Sequence, residues 1–146
     1  MTFSQAETAE FLGITQQRLS YWLQRGAIEV EGGGQPGLRC QFTPGDILRS
    51  LIVKKILDAG ARLQEVRRAL QPLKDIQDVD DVRALQATWL CVEPGTGRPT
   101  WYHSDRQALL RIKESDVYLI DMQEAKQKTL QALQEENAPS DIAHQP

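Results

Sequence analysis

From Thr15 to Arg25 the chain gathers Gln16, Gln17, Arg18, Ser20, Tyr21, Gln24 and Arg25, a set of amide, hydroxyl and guanidinium groups suited to reading nucleic acid. Glutamine pairs bidentately with adenine and arginine with guanine, while a helix N-terminus turns positive dipole toward phosphate. Arg39 follows a Gly- and Pro-rich stretch, and Arg62, Arg67 and Arg68 add further cations. Bond-making chemistry has no comparable support. No nucleophile–base pair, carboxylate dyad or metal-ligand cluster can be assembled from neighbouring residues, so neither an enzyme nor a bound cofactor or metal is expected. Cys40 and Cys91 form no C-x-x-C pair, which argues against a thiolate metal site and a disulfide framework. His103 and His144 stand alone. The glycine run 32–34 is not a phosphate-cradling loop, because no Gly-Lys-Ser/Thr follows it.

Those polar groups must be held by elements. Ser4 with Glu7 three residues later is a capping-box signature, predicting a short helix with Ala6, Ala9 and Phe11–Leu12 as its apolar positions and Gly13 as its stop. Thr15 offers a second N-cap. Leu19, Trp22 and Leu23 follow at i, i+3 and i+4, one buried stripe that leaves the polar side chains on other faces, and Gly26 ends the helix. Two capped helices joined at a glycine turn form the pattern of a helix-turn-helix. Residues 28–42 read as a β-hairpin with a Gly-rich tip, a wing from which Arg39 reaches a phosphate backbone. Thr43, Pro44 and Asp46 start a third helix with Ile47, Leu48, Leu51, Ile52 and Ile56 on its apolar face. A fourth carries Leu63, Val66 and Leu70 inward and Arg62, Arg67 and Arg68 outward.

In order and in residues, positions 2–71 resemble the N-terminal winged helix-turn-helix of the MerR family of bacterial transcription regulators. The carriers are Gly13-Ile14-Thr15, then Leu19-Ser20-Tyr21-Trp22 with Gly26-Ala27-Ile28, which is similar to the family's "GVS…LRYYE..GLL" run. Gly37-Leu38-Arg39 with Phe42-Thr43, Asp46-Ile47, and the run from Gly60 to Val66 follow in family order. The resemblance implies a homodimer gripping two operator half-sites, the second helix in the major groove and the wing on flanking backbone, with RNA polymerase a candidate further partner. It implies a phosphate contact for Tyr21 and a wing contact for Arg39, and it puts sequence reading at Gln16, Gln17 and Arg18. Ser20 departs from the usual arginine and Leu23 from the usual acidic residue, so groove contacts are expected to shift toward Arg18 or Arg25. The expected DNA-binding set is therefore Thr15, Gln16, Gln17, Arg18, Ser20, Tyr21, Arg25, Arg39 and Arg62.

The second half reads differently. Residues 73–84 are a short helix or a linker, too short for the long dimer helix of the family. Thr88–Val92 and Thr100–His103 flank a Pro/Gly turn as a hairpin, and Leu109–Ile112 and Val117–Ile120 are candidate further strands of a small antiparallel sheet. A helix over 122–136 places Met122, Ala125, Thr129, Leu130 and Leu133 on one side, facing either a dimer partner or its own sheet. Residues 137–146 read as a frayed tail. Trp89, Trp101 and Tyr102 line an effector pocket or fill a core; both readings stay open. The expected fold is α+β: a winged helix-turn-helix over 1–72, then a β-rich unit with a C-terminal helix over 85–136.

The chain has 146 residues, 40% apolar and 25% charged, close to the globular average. Short apolar runs and an N-terminus without a signal pattern predict a cytoplasmic protein with no membrane partner. The formal net charge of −3 speaks against nucleic acid only as an average. Residues 1–72 hold 9 Lys/Arg against 7 Asp/Glu, and residues 73–146 hold 8 against 13. A basic half joined to an acidic one fits a DNA-binding regulator. Two alternatives remain: a phage or plasmid protein for excision, partition or packaging, and an interaction adaptor that no longer grips DNA.

Overall fold

The structure is a computed structural model in which residues 1–33, 40–114 and 116–136 are described. The tip of the expected wing, with Arg39, and the tail from 137, with His144, lie outside the described residues.

Helix termini are set by side chains that satisfy otherwise unpaired backbone N–H groups. Ser4 Oγ accepts from the Glu7 amide at 3.0 Å while Glu7 Oε1 accepts from the Ser4 amide at 2.9 Å, starting α1 (Gln5–Leu12). Gly13, at φ 71°, takes the left-handed conformation that closes α1 and frees the chain to turn. Thr15 Oγ1 then accepts from the Arg18 amide at 3.0 Å to start α2 (Gln16–Gln24). A second capping box, Thr43 with Asp46, starts α3 (Pro44–Asp58), whose first ten residues are all buried, and α4 (Leu63–Ala69) follows. Between α2 and α3, Glu31 and Gln41 form an isolated antiparallel bridge, and Phe42 bridges back to Phe3.

A 3-10 turn (Gln71–Leu73) and α5 (Val79–Arg83) occupy the stretch read as helix or linker. Asp78 and Asp81 cap α5, and the amides of Gln77 and Asp78 hold the Asp81 carboxyl below the usual range. β1 (Trp89–Val92) pairs antiparallel with β2 (Pro99–Tyr102) on one side and β3 (Tyr118–Asp121) on the other, in the order β2-β1-β3. Among the described residues the sheet has three strands, because residues 109–112 belong to α6 (Asp105–Glu114) rather than to a strand. The run Leu109-Leu110-Arg111-Ile112 looks strand-like alone, yet it is flanked by the helix formers Arg106, Gln107, Ala108 and Lys113. The Gln107 amide donates to Ser104 Oγ at 3.3 Å near the helix start, and Ala108 is buried while Leu109 and Leu110 are exposed.

Last comes α7 (Met122–Glu136). Its buried Met122, Ala125, Thr129 and Leu133 face α3, α5 and β1 of the same chain, so that stripe is covered without a partner. One buried apolar cluster runs from Phe3 through Trp22, Phe42, Ile52 and Val66 to Leu90, Ile120 and Leu133. Register places Leu90, Trp101 and Ile120 on the sheet face toward this core, and Trp89, Cys91 and Tyr102 on the face toward α6.

Candidate nucleic-acid interface

Leu19 and Trp22, 0% and 2% exposed, pin α2 to the core. Burying a large apolar side chain stabilises by about 1.5–3 kcal/mol, so these two residues fix which way the rest of α2 points. Thr15, Gln16, Gln17, Arg18, Tyr21, Gln24 and Arg25 are left exposed, Tyr21 at 49%. The Arg18 guanidinium lies 5.3 Å from the Trp22 ring centre and that of Arg25 lies 5.3 Å from the Tyr21 ring centre. Such cation–π contacts limit the freedom of two arginines without removing their charge. Ser20 sits apart from this set. It is half-buried, and its hydroxyl oxygen accepts from Gln5 Nε2, which also donates to the Gln16 carbonyl at 3.2 Å. Gln5 thereby braces α1 against α2, a role that only the folded juxtaposition makes visible.

The other cations divide into two groups. Arg62, just before α4, and Arg68 on it are exposed and make no ion pair among the described residues. Arg67 on α4 comes within reach of Gly26 at the end of α2, and its Nη2 donates to Glu29 Oε1 at 3.1 Å. Arg67 was not in the expected contact set, yet the fold carries it to the α2 terminus. Arg49 is of the opposite kind. It is 8% exposed; its Nη2 meets Asp46 Oδ1 at 2.6 Å, and its Nη1 donates to the carbonyls of Leu73 and Ile76 at 2.8 and 2.6 Å. That guanidinium ties α3 to the junction after α4.

The aromatic trio of the second half is not gathered on one face. Trp101 lies with Leu90 toward the core, and its buried Nε1 has no hydrogen-bond partner among the described residues. Trp89 and Tyr102 pair on the opposite face, where Trp89 Nε1 donates to Asp105 Oδ1 at 2.7 Å. Among the described residues no group of three or more His, Cys, Asp or Glu could hold a metal ion, and no helix is long and apolar enough to cross a membrane.

Two capped helices meeting at a left-handed glycine, the second anchored by Leu19 and Trp22 with its amides and guanidinium groups outward, define a helix-turn-helix of the kind that reads DNA. Residues 3–73 match the family described as MerR HTH family regulatory protein, and this N-terminal region is a MerR-family helix-turn-helix domain, which points to DNA-binding transcription regulation. The family is generally non-enzymatic. No curated protein matches the chain.

Proposed function

We propose that the chain is a sequence-specific transcription regulator that binds an operator as a homodimer, with α2 in the major groove and the segment 28–42 acting as a wing on flanking backbone. In this reading residues 1–72 hold DNA, and residues 85–136 dimerise. Gln16, Gln17 and Arg18 read base edges; Thr15, Tyr21, Arg25, Arg39 and Arg62 position the domain on phosphates. The observation that carries the reading is the exposed polar face of α2, opposite the buried Leu19 and Trp22. Bound sequences selected from a random duplex pool are expected to be palindromic with half-sites about one helical turn, roughly 34–36 Å, apart. Arg18→Ala is expected to weaken binding to the selected site by about 1–3 kcal/mol and relax preference at one base position. Arg39→Ala weakens binding to all sequences alike and lowers the salt slope by about one unit. Anisotropy that shows no affinity at low salt overturns this reading. That outcome favours the adaptor, for which the engagement of Ser20 by Gln5 is the supporting observation.

A further inference from the structure

We infer that the cleft between residues 27–31 and the corner after α4 binds a small zwitterion, an apolar amino acid either free or in a dipeptide. Its carboxylate meets Lys74 and Arg49, and its ammonium meets Glu31. The cleft has a volume of about 390 Å³, within the range of roughly 300–1,000 Å³ of small-molecule sites. Its two walls carry opposite charge. The wall next to the expected wing presents Glu29 and Glu31, while the helical wall presents Arg49 from α3, Arg67 from α4 and Lys74 from just past the 3-10 turn. Ala27, Ile28 and Leu70, which are 4%, 4% and 6% exposed, also line the cleft and supply apolar surface for a side chain.

One ion pair already crosses between the walls, from Arg67 Nη2 to Glu29 Oε1 at 3.1 Å. Both side chains are well exposed, so water screens that pair and leaves it free to open. Lys74 and Glu31 have no ion pair among the described residues. Arg49 adds further donors. A guanidinium carries five N–H groups, and Asp46 with the carbonyls of Leu73 and Ile76 accounts for three bonds, so two N–H groups remain. Asp46 does not offset them, since its oxygens already accept from Arg49 and from the Thr43 amide. The helical wall therefore has cations and donors in excess, and the opposite wall has carboxylates. A lone anion is repelled by one wall and a lone cation by the other, whereas a zwitterion is complementary to both.

Residues 28–31 belong to the segment read as the wing, so a ligand that bridges the walls would hold that segment against the helices. This consequence rests on the regulator reading above; the binding does not.

The test is titration calorimetry on the full chain without DNA. The probes are L-leucine, L-leucyl-L-leucine, 4-methylpentanoate, which is leucine without its ammonium, and 3-methylbutylamine, which is leucine without its carboxylate. At least one of the two zwitterions is expected to bind with a dissociation constant of about 1 mM or tighter, and each single-charge analogue at least about tenfold more weakly. The tighter of the two tells a free amino acid from a peptide. Lys74→Gln is expected to bring the zwitterion down to the level of the amine, and Glu31→Gln to the level of 4-methylpentanoate. A change that merely loosened the fold would weaken all probes alike. Both side chains are exposed, so circular dichroism and melting are expected to stay unchanged. Absence of binding by both zwitterions overturns the inference, as do analogues that bind as tightly as the zwitterion or variants that bind it like the wild type. Zwitterion binding by a chain that holds no DNA leaves this inference standing and removes the regulator reading; DNA binding by a chain that takes neither zwitterion does the reverse.

Discussion

Replacing Arg49 by methionine keeps most of the aliphatic stem and deletes the guanidinium, and three acceptors feel the loss. The Asp46 carboxylate, in a residue 6% exposed, loses its counter-charge at 2.6 Å but keeps the Thr43 amide at 2.8 Å. The carbonyls of Leu73 and Ile76 lose donors at 2.8 and 2.6 Å. Breaking a buried pair from one side costs about 3–5 kcal/mol, and an orphaned buried acceptor about 1–3. These overlap, since water can enter at Ile76, where the bond is only partly buried. A net loss of about 3–4 kcal/mol is expected, which for a chain of this size lowers the melting temperature by about 10 °C. Urea unfolding followed by circular dichroism measures it, with an unchanged m-value showing that the transition stays two-state. Asp46→Asn with Arg49→Met should cost clearly less than the sum of the single changes, because the lone buried charge is then gone. A loss for Arg49→Met below about 1 kcal/mol, the range of exposed pairs, would show that solvent already screens the pair and that it does not hold the junction.

Three further outcomes follow from local geometry. Gly97, at φ 73°, lies so close to the Glu65 backbone that an added Cβ would collide with its carbonyl, whereas Gly95, at φ 88°, has open space around it. Gly97→Ala is therefore expected to destabilise by about 2–4 kcal/mol and Gly95→Ala by about 1, a contrast that thermal melts resolve. Glu124 is held at about 2 by hydrogen bonds from Lys128 and then Lys55, so its ion pairs stabilise fully above the ordinary carboxylate range and are lost as pH falls toward 2. With its side chain 45% exposed, Glu124→Gln should cost under about 1 kcal/mol at pH 7 and nearly nothing at pH 2, as urea midpoints at the two pH values report. Cys91 is 2% exposed while Cys40 is half-buried, and burial pushes both thiols up, so a thiol reagent at pH 7 should label Cys40 slowly in the native chain and Cys91 only on unfolding.

Capping made the first half legible. Ser4 with Glu7, Thr15, and Thr43 with Asp46 each declare a helix start through one short-range bond, and Leu19 with Trp22 declares the inward side of α2. Such signals are local, so the chain alone carries them. Arg49 shows the limit: on a helix beside apolar neighbours it reads as one more cation, and only the return of Leu73 and Ile76 to the start of α3 reveals it as buried. The α6 stretch was misleading for another reason. Ala108 is buried while Leu109, Leu110 and Ile112 are exposed, so no buried stripe spaced by three and four marks the helix, and periodicity reports a side only where it is buried. Gln5, Gly97 and Arg67 act through partners 15, 32 and 38 residues away, distances at which a sequence gives no sign of pairing.

The charge count changes meaning once these partners are assigned. The small excess of cations in residues 1–72 includes Arg49, which is spent inside the protein, Lys54, which pairs with Asp58, and Arg67, which pairs with Glu29. Lys55 reaches across to Glu124 of the acidic half. Among the described residues, Arg18, Arg25, Arg62 and Arg68 then remain as cations of the first half without an ion pair, and two of these are steadied against aromatic rings on α2 itself. If Arg25, Arg62 and Arg68 join the proposed phosphate contact of Arg39, while Arg18 reads bases, log affinity falls with log salt at a slope of about −3.6 per protomer, and about twice that for two protomers on one duplex. A measured slope near the single-protomer value on a palindromic site would mean that only one half-site is held. The larger slope requires two copies on the DNA, and under the regulator reading it is the second set of arginines, rather than a strongly basic domain, that supplies the grip.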